Sequence, residues 1–140
     1  MIDHRTAPYA VLLLRVVTGI LFLAHAGAKI FIFTVPGFVK YFASLGLPEW
    51  FAYMALTLEV LGGLALILGV YARLVAIPLG IEILGTIVMV HGARGFYFNN
   101  NGGGWEFPAL WAVALFALVL LGDGAYALRP TFGKGRKSAA

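Results

Sequence analysis

The stretch Arg15-Val16-Val17-Thr18-Gly19-Ile20-Leu21-Phe22-Leu23-Ala24-His25-Ala26-Gly27-Ala28-Lys29 decides how this chain is read. It sits inside an apolar run from about Tyr9 to Phe33, longer than the roughly 20 residues that cross a bilayer as a helix. It nevertheless carries three ionisable side chains. A charged residue near the centre of a spanning helix costs roughly 2.5 to 3.5 kcal/mol on insertion scales, so each demands a partner or a function. At about 100° per residue, Arg15, His25 and Lys29 fall within an arc of roughly 80°, together with Thr18 and Phe22. Leu13, Val17, Ile20, Ala24 and Phe31 lie opposite. One face is expected to meet protein and the other lipid.

The same conflict recurs farther along. A second apolar segment, 51–71, holds Glu59, and a third, 74–91, holds Glu82. A fourth starts at Phe107 and is expected to run past Leu121, as far as about residue 128. The whole chain of 140 residues is 61% hydrophobic and 11% charged, with a mean hydropathy of +0.93. Soluble domains carry about 25% charged residues, so this composition excludes them. Length leaves room for four spans and no separate soluble domain. The spans must be helices, because a backbone in hydrocarbon has to satisfy its own hydrogen bonds and the runs lack the alternation of barrel strands. The expectation is an all-α, four-helix membrane bundle forming one domain over 1–140, with spans at about 9–33, 51–71, 74–91 and 107–128 and a basic tail, 129–140.

The connections differ in character. Between the first two spans, Pro36 and Gly46 bracket a short amphipathic piece containing Phe38, Tyr41 and Phe42, which predicts an interfacial helix. Tyr71-Ala72-Arg73 makes a tight antiparallel turn. The third connection, 92–106, contains Asn99-Asn100-Asn101-Gly102-Gly103-Gly104 and reads as a flexible turn, since no Lys-Ser or Lys-Thr follows to make a phosphate loop. Arg5, Arg73 and the tail residues Arg129, Lys134, Arg136 and Lys137 outweigh Lys40 and Arg94 on the other side, so both termini are expected in the cytoplasm. The net charge of +4 is accounted for by that tail as an orientation signal, and nucleic acid is not an expected partner. Ala24-His25-Ala26 has the small-x-small form of a signal-peptide cleavage site, but Arg15 interrupts the apolar region such a signal needs.

Small residues Ala52, Ala55, Gly62, Gly63 and Gly69 share the face of Glu59 and direct it inward. Pro78, Gly85, Thr86 and Met89 share that of Glu82, and Pro78 is expected to kink its helix. Counting about 1.5 Å per residue from the cytoplasmic boundary places Arg15 and Glu82 at similar depth, which suggests an ion pair. His25, Lys29 and Glu59, with Glu106 at the head of the fourth span, group farther out. Two readings are open: charges that tie the bundle together, or a functional pocket. Trp105 and Glu106 are equally open, as a pocket mouth or as an interfacial aromatic and a first-turn acid. Gly122-Asp123-Gly124 reads as a helix stop. No cysteine is present, which excludes disulfides and thiol relays. His4, His25 and His91 lack the spacing of a metal or haem site, so no metal is expected.

Arg15, Gly19, Phe22, His25 and Lys29, followed by Gly46-Leu47-Pro48, Glu59 with Gly62-Gly63, Leu68-Gly69 with Arg73, His91, Trp105-Glu106 and Gly122-Asp123-Gly124, resemble the DoxX family of small four-helix membrane proteins over nearly the whole chain. One departure is Ala26, where the family pattern has glycine after the histidine. The resemblance implies a prokaryotic cytoplasmic (inner) membrane protein linked to redox metabolism, with relatives that include a thiosulfate:quinone oxidoreductase subunit and proteins of oxidative-stress systems. The function expected is therefore a quinone-linked oxidoreductase component. In it Glu59 and His25 carry protons, and Arg15, Lys29, Glu82, Glu106 and Trp105 form the ligand-binding set. The side chains supply no electron carrier, so a bound cofactor or a redox partner is required. The alternative is a non-catalytic accessory or assembly subunit. The expected partners are the lipid bilayer and either a membrane or peripheral protein or further copies of the chain.

Overall fold

The computed structural model describes residues 1–133; the tail residues Lys134, Arg136 and Lys137, with their expected part in orientation, lie outside them. Helix α1 (Ala7–Gly27) passes into a π-helical turn, Ala28–Ile32. Then come α2 (Val35–Ser44) and α3 (Glu49–Leu68). Helix α4 (Ala72–Thr86) ends in a second π-turn, Ile87–His91, and a 3-10 turn, Gly92–Arg94. Helix α5 (Glu106–Leu121) is last. No strand forms among the described residues; an isolated bridge pairs Val70 with Arg129.

Three of these helices are long and apolar enough to cross a membrane: Ala7–Ile32, Glu49–Leu68 and Ala72–Arg94. The fourth corrects the expected span of 107–128. Helix α5 has 16 residues, about 24 Å of rise against a hydrocarbon core of about 30 Å. It stops at Leu121 because Gly122 takes φ 103°, a conformation open to glycine and closed to side chains. Residues beyond it fold back, with the Leu128 and Arg129 amides donating to Leu68 and Gly69 carbonyls and the Tyr71 amide to Arg129. The exposed aromatics Phe96, Tyr97, Phe98 and Trp105 cover the other end of α5, a composition suited to the interface.

The bundle closes in the order α1, α3, α4, α5 and back to α1. Glycine sets each close approach. A methyl group on Gly19 would stand 2.7 Å from the Gly63 carbonyl oxygen, so α1 and α3 touch backbone to backbone. Gly62 admits Leu79 of α4, and Gly80 admits Phe116 of α5. This is the packing expected where helices gain nothing from hiding apolar surface and must rely on contact. Phe22, Leu66, Leu79, Leu115 and Leu118 fill the centre, while Leu13, Ile20, Phe31, Leu61, Val88, Leu110 and Leu120 remain on the perimeter. Helix α4 runs through Pro78, which lies on that exposed side.

Candidate functional site

The ionisable residues separate into two groups at different depths. Arg15 is fully buried (0% exposed) and meets no carboxylate. Its Nη1 donates to the carbonyls of Leu66 (2.9 Å) and Ile67 (2.8 Å), where α3 ends. Nε donates to the Asp123 carbonyl at 3.0 Å and Nη2 to that of Ala125 at 2.6 Å. Carbonyls in the last turn of a helix lack intrahelical partners and carry the negative end of its dipole, so a guanidinium fits there. Gly69, at φ +69°, caps α3 and leaves room for Arg15: a methyl group on it would stand 2.8 Å from Nη1.

This arrangement corrects the expected Arg15–Glu82 ion pair. Helix α1 with its π-turn spans 26 residues, so it reaches beyond the ends of its neighbours and Arg15 falls level with the last turn of α3. Glu82 is ten residues into α4, far from that end. The same bonds use four of the five N–H donors of Arg15 within the fold. Asp123 completes this end: its side chain accepts from the Arg73 amide (3.2 Å) and from the Thr131 amide and hydroxyl (2.9 Å each).

The second group lies at mid-depth and above. Lys29 of the π-turn donates to Glu59 Oε1 of α3, the only salt bridge among the described residues. Its ammonium also lies 5.0 Å from the Phe38 ring centroid, and Phe38, on the interfacial helix α2, stacks on Phe42 at 4.4 Å. Glu59 is 3% exposed. Its carboxyl group is within hydrogen-bonding reach of Glu82 from α4, and Oε2 of each glutamate is buried without a donor.

Beside this group, α5 contributes a residue the sequence reading passed over. Trp111 is 6% exposed and packs against Phe22 (ring centroids 4.5 Å apart), His25 (5.0 Å) and Phe107 (5.6 Å). Its indole N–H is buried and has no acceptor. A buried indole usually finds one; the signal the sequence offered was only the place of this tryptophan, five residues into a span. His25 faces Trp111 from the perimeter, where it is exposed. His91, rotated by the π-turn, holds the Gly103 carbonyl at 2.8 Å through Nδ1. π-turns inside helices concentrate at functional sites, and here they carry Lys29 and His91.

Trp105 and Glu106 do not join this cluster. Glu106 accepts the Phe98 amide at 3.0 Å, Trp105 stacks edge-on against Phe96 at 4.8 Å, and the two tie down the connection between α4 and α5. Arg94 donates to the Gly102 carbonyl within the same loop. Two surface depressions occur elsewhere. One, of about 280 Å³, is lined by Ile30, Leu56, Thr57, Val60 and Leu61; the other, of about 320 Å³, includes His4, Val11 and Gly124. Neither is lined by Glu59, Glu82 or Trp111.

Residues 10–92, which carry Arg15, His25, Lys29, Glu59 and Glu82, match the model of the family described as DoxX. The chain belongs to the DoxX family. Among its relatives, a Bacillus subtilis (strain 168) protein named "Putative oxidoreductase CatD" is 33% identical over 127 residues, covering 91% of this chain and 90% of the relative. An uncharacterized protein of Haemophilus influenzae (strain ATCC 51907 / DSM 11121 / KW20 / Rd) is 30% identical over 128 residues, covering 91% and 93%. No solved structure gives a significant match. This DoxX chain thus combines a membrane bundle, clamped at one end by Arg15, with a buried and a half-buried glutamate from mid-depth outward and an aromatic wall beside them.

Proposed function

We propose that this DoxX protein is a membrane oxidoreductase component that binds a quinone head group between α1 and α5. The observation that carries the reading is the buried indole N–H of Trp111 without an acceptor, on a ring packed against His25, Phe22 and Phe107. A quinone offers what this place lacks: a flat ring for the aromatic wall and a carbonyl oxygen for the free donor. The name of the Bacillus subtilis relative supports a redox role.

Converting a quinone to its quinol takes up two electrons and two protons, turning two carbonyls into two hydroxyls. The electrons come from a redox partner or from the cofactor that partner carries. This chain's own residues bind and protonate. Trp111 holds one oxygen and stabilises the charge that builds on it. His25, facing the same wall, is the proton carrier next to the ring, and Glu59 is the carrier behind it, held in place by Lys29. Arg5, Arg73 and Arg129 lie at the end of the bundle where α1 begins and α5 stops, and Lys40 and Arg94 at the other. That distribution supports cytoplasmic termini in the inner membrane.

Titration of the purified protein in lipid nanodiscs with menadione and with decyl-benzoquinone tests the reading. Saturable binding is expected, weakened about tenfold by Trp111→Phe, which keeps the ring and removes one hydrogen bond of about 1.4 kcal/mol. Absence of saturable binding, with a large membrane protein co-purifying in fixed ratio, would establish the accessory-subunit alternative.

A further inference from the structure

Charge counting around Lys29, Glu59 and Glu82 leads beyond the quinone reading and holds without it. Lys29 is the cation in contact with this group and is committed to Glu59 Oε1. Glu59 and Glu82 lie within reach of each other, and the second oxygen of each is buried with no donor. The other elements supply no compensating charge. From α1, His25 lies on the side of Lys29 and His91. From α4, His91 is engaged with the Gly103 carbonyl. From α2 the neighbour is Phe38, from α5 Trp111, and Arg15 is spent at the opposite end of α3.

With every member ionised, the group would hold one cation and two anions in low dielectric, and two carboxylates would meet acceptor to acceptor. Buried charges persist when paired, and buried acceptors when given a donor. A single proton meets both needs: it removes the excess negative charge and gives one glutamate an O–H to donate to the other. A divalent metal does not fit. Calcium and magnesium take six or more oxygen ligands and zinc at least three from protein, and no cluster of three or more metal-ligating side chains occurs among the described residues.

We propose that Glu59 and Glu82 form a proton-binding site within the membrane, holding one proton between their facing oxygens while Lys29 balances the remaining charge. The resting site is then neutral overall. It can give its proton to an acceptor only if another proton or cation replaces it, because the emptied site would strand an uncompensated anion.

Infrared spectroscopy of the full-length protein in phosphatidylcholine vesicles at neutral pH tests this through the C=O stretch of a protonated carboxyl group. Wild type is expected to show such a band, equivalent to one proton per chain and shifted in heavy water. Glu59→Gln and Glu82→Gln should each abolish it, since the remaining glutamate pairs with Lys29 and the amide supplies the donor. Lys29→Met should double its area, because two carboxyl groups without a cation each hold a proton. Helical circular dichroism checks that each variant is folded, and Lys29→Met gains signal where misfolding would lose it. No acid carbonyl in wild type, or an undiminished band in both glutamine variants, would overturn the proposal. So would an unchanged band in Lys29→Met. A band that appears only when sodium is replaced by choline would assign the site to a monovalent metal cation instead.

Discussion

Replacing Arg15 by lysine keeps the positive charge and removes the geometry. The guanidinium donates in two directions: Nη1 toward Leu66 and Ile67 at the end of α3, and Nε with Nη2 toward Asp123 and Ala125 after α5. A lysine ammonium is a single point on a flexible stem and cannot span both. Two of the four bonds are lost, each worth about 1.5 kcal/mol with a charged donor, so Arg15→Lys is expected to destabilise the bundle by about 3 kcal/mol. Reversible unfolding in mixed micelles by dodecyl sulfate titration measures this. Hydrogen exchange should quicken at residues 122–131, which lose their anchor. A double-mutant cycle with Glu82→Gln separates the clamp from an Arg15–Glu82 ion pair, since non-touching residues add within about 0.5 kcal/mol. A loss below about 0.5 kcal/mol for Arg15→Lys, or a coupling above about 1 kcal/mol with Glu82, would refute the clamp.

Two further outcomes follow from packing and capping. Gly19→Ala places a methyl group 2.7 Å from the Gly63 carbonyl oxygen and should cost about 1–3 kcal/mol through overpacking; in the same unfolding assay Gly27→Ala, with nothing within 4 Å, should be neutral or stabilise by up to about 1 kcal/mol. Asp123→Asn retains one acceptor oxygen where the carboxylate serves the Arg73 amide and both Thr131 donors. A loss of about 1–2 kcal/mol is expected, and unchanged stability would show that the Asp123 side chain does not hold the segment after α5.

The parts of the fold set by composition and periodicity were legible in the sequence. Apolar length gave the spans that begin near Ala7, Glu49 and Ala72. Pro36 and Gly46 bracketed α2, and the small face with Gly62-Gly63 marked where another helix approaches α3. What escaped depended on the third dimension. The depth of Arg15 could not be read without knowing that α1 overreaches its neighbours, so an ion pair with Glu82 was expected where backbone carbonyls supply the partners. The end of α5 followed from the φ of Gly122, while the apolar residues beyond it suggested a longer span. Glu59 was readable as inward-facing, but its contact with Glu82 required the antiparallel register of α3 and α4. Trp111 passed as one more apolar residue, because only the packed structure reveals an indole N–H left without an acceptor. Glu106 and Trp105 had two readings, and their hydrogen bond and stacking within the 95–106 loop favour the structural one.

A quinone-type site against Trp111 and His25 can be located by photoaffinity labelling. The full chain in nanodiscs would be irradiated with an azido-quinone, with and without excess decyl-benzoquinone, and the adducts mapped by peptide mass spectrometry. Adducts are expected around His25 on α1 and Trp111 on α5, suppressed by the competitor and reduced in Trp111→Phe. Adducts that resist competition, or that fall only in the groove of Ile30, Thr57 and Val60, would contradict it.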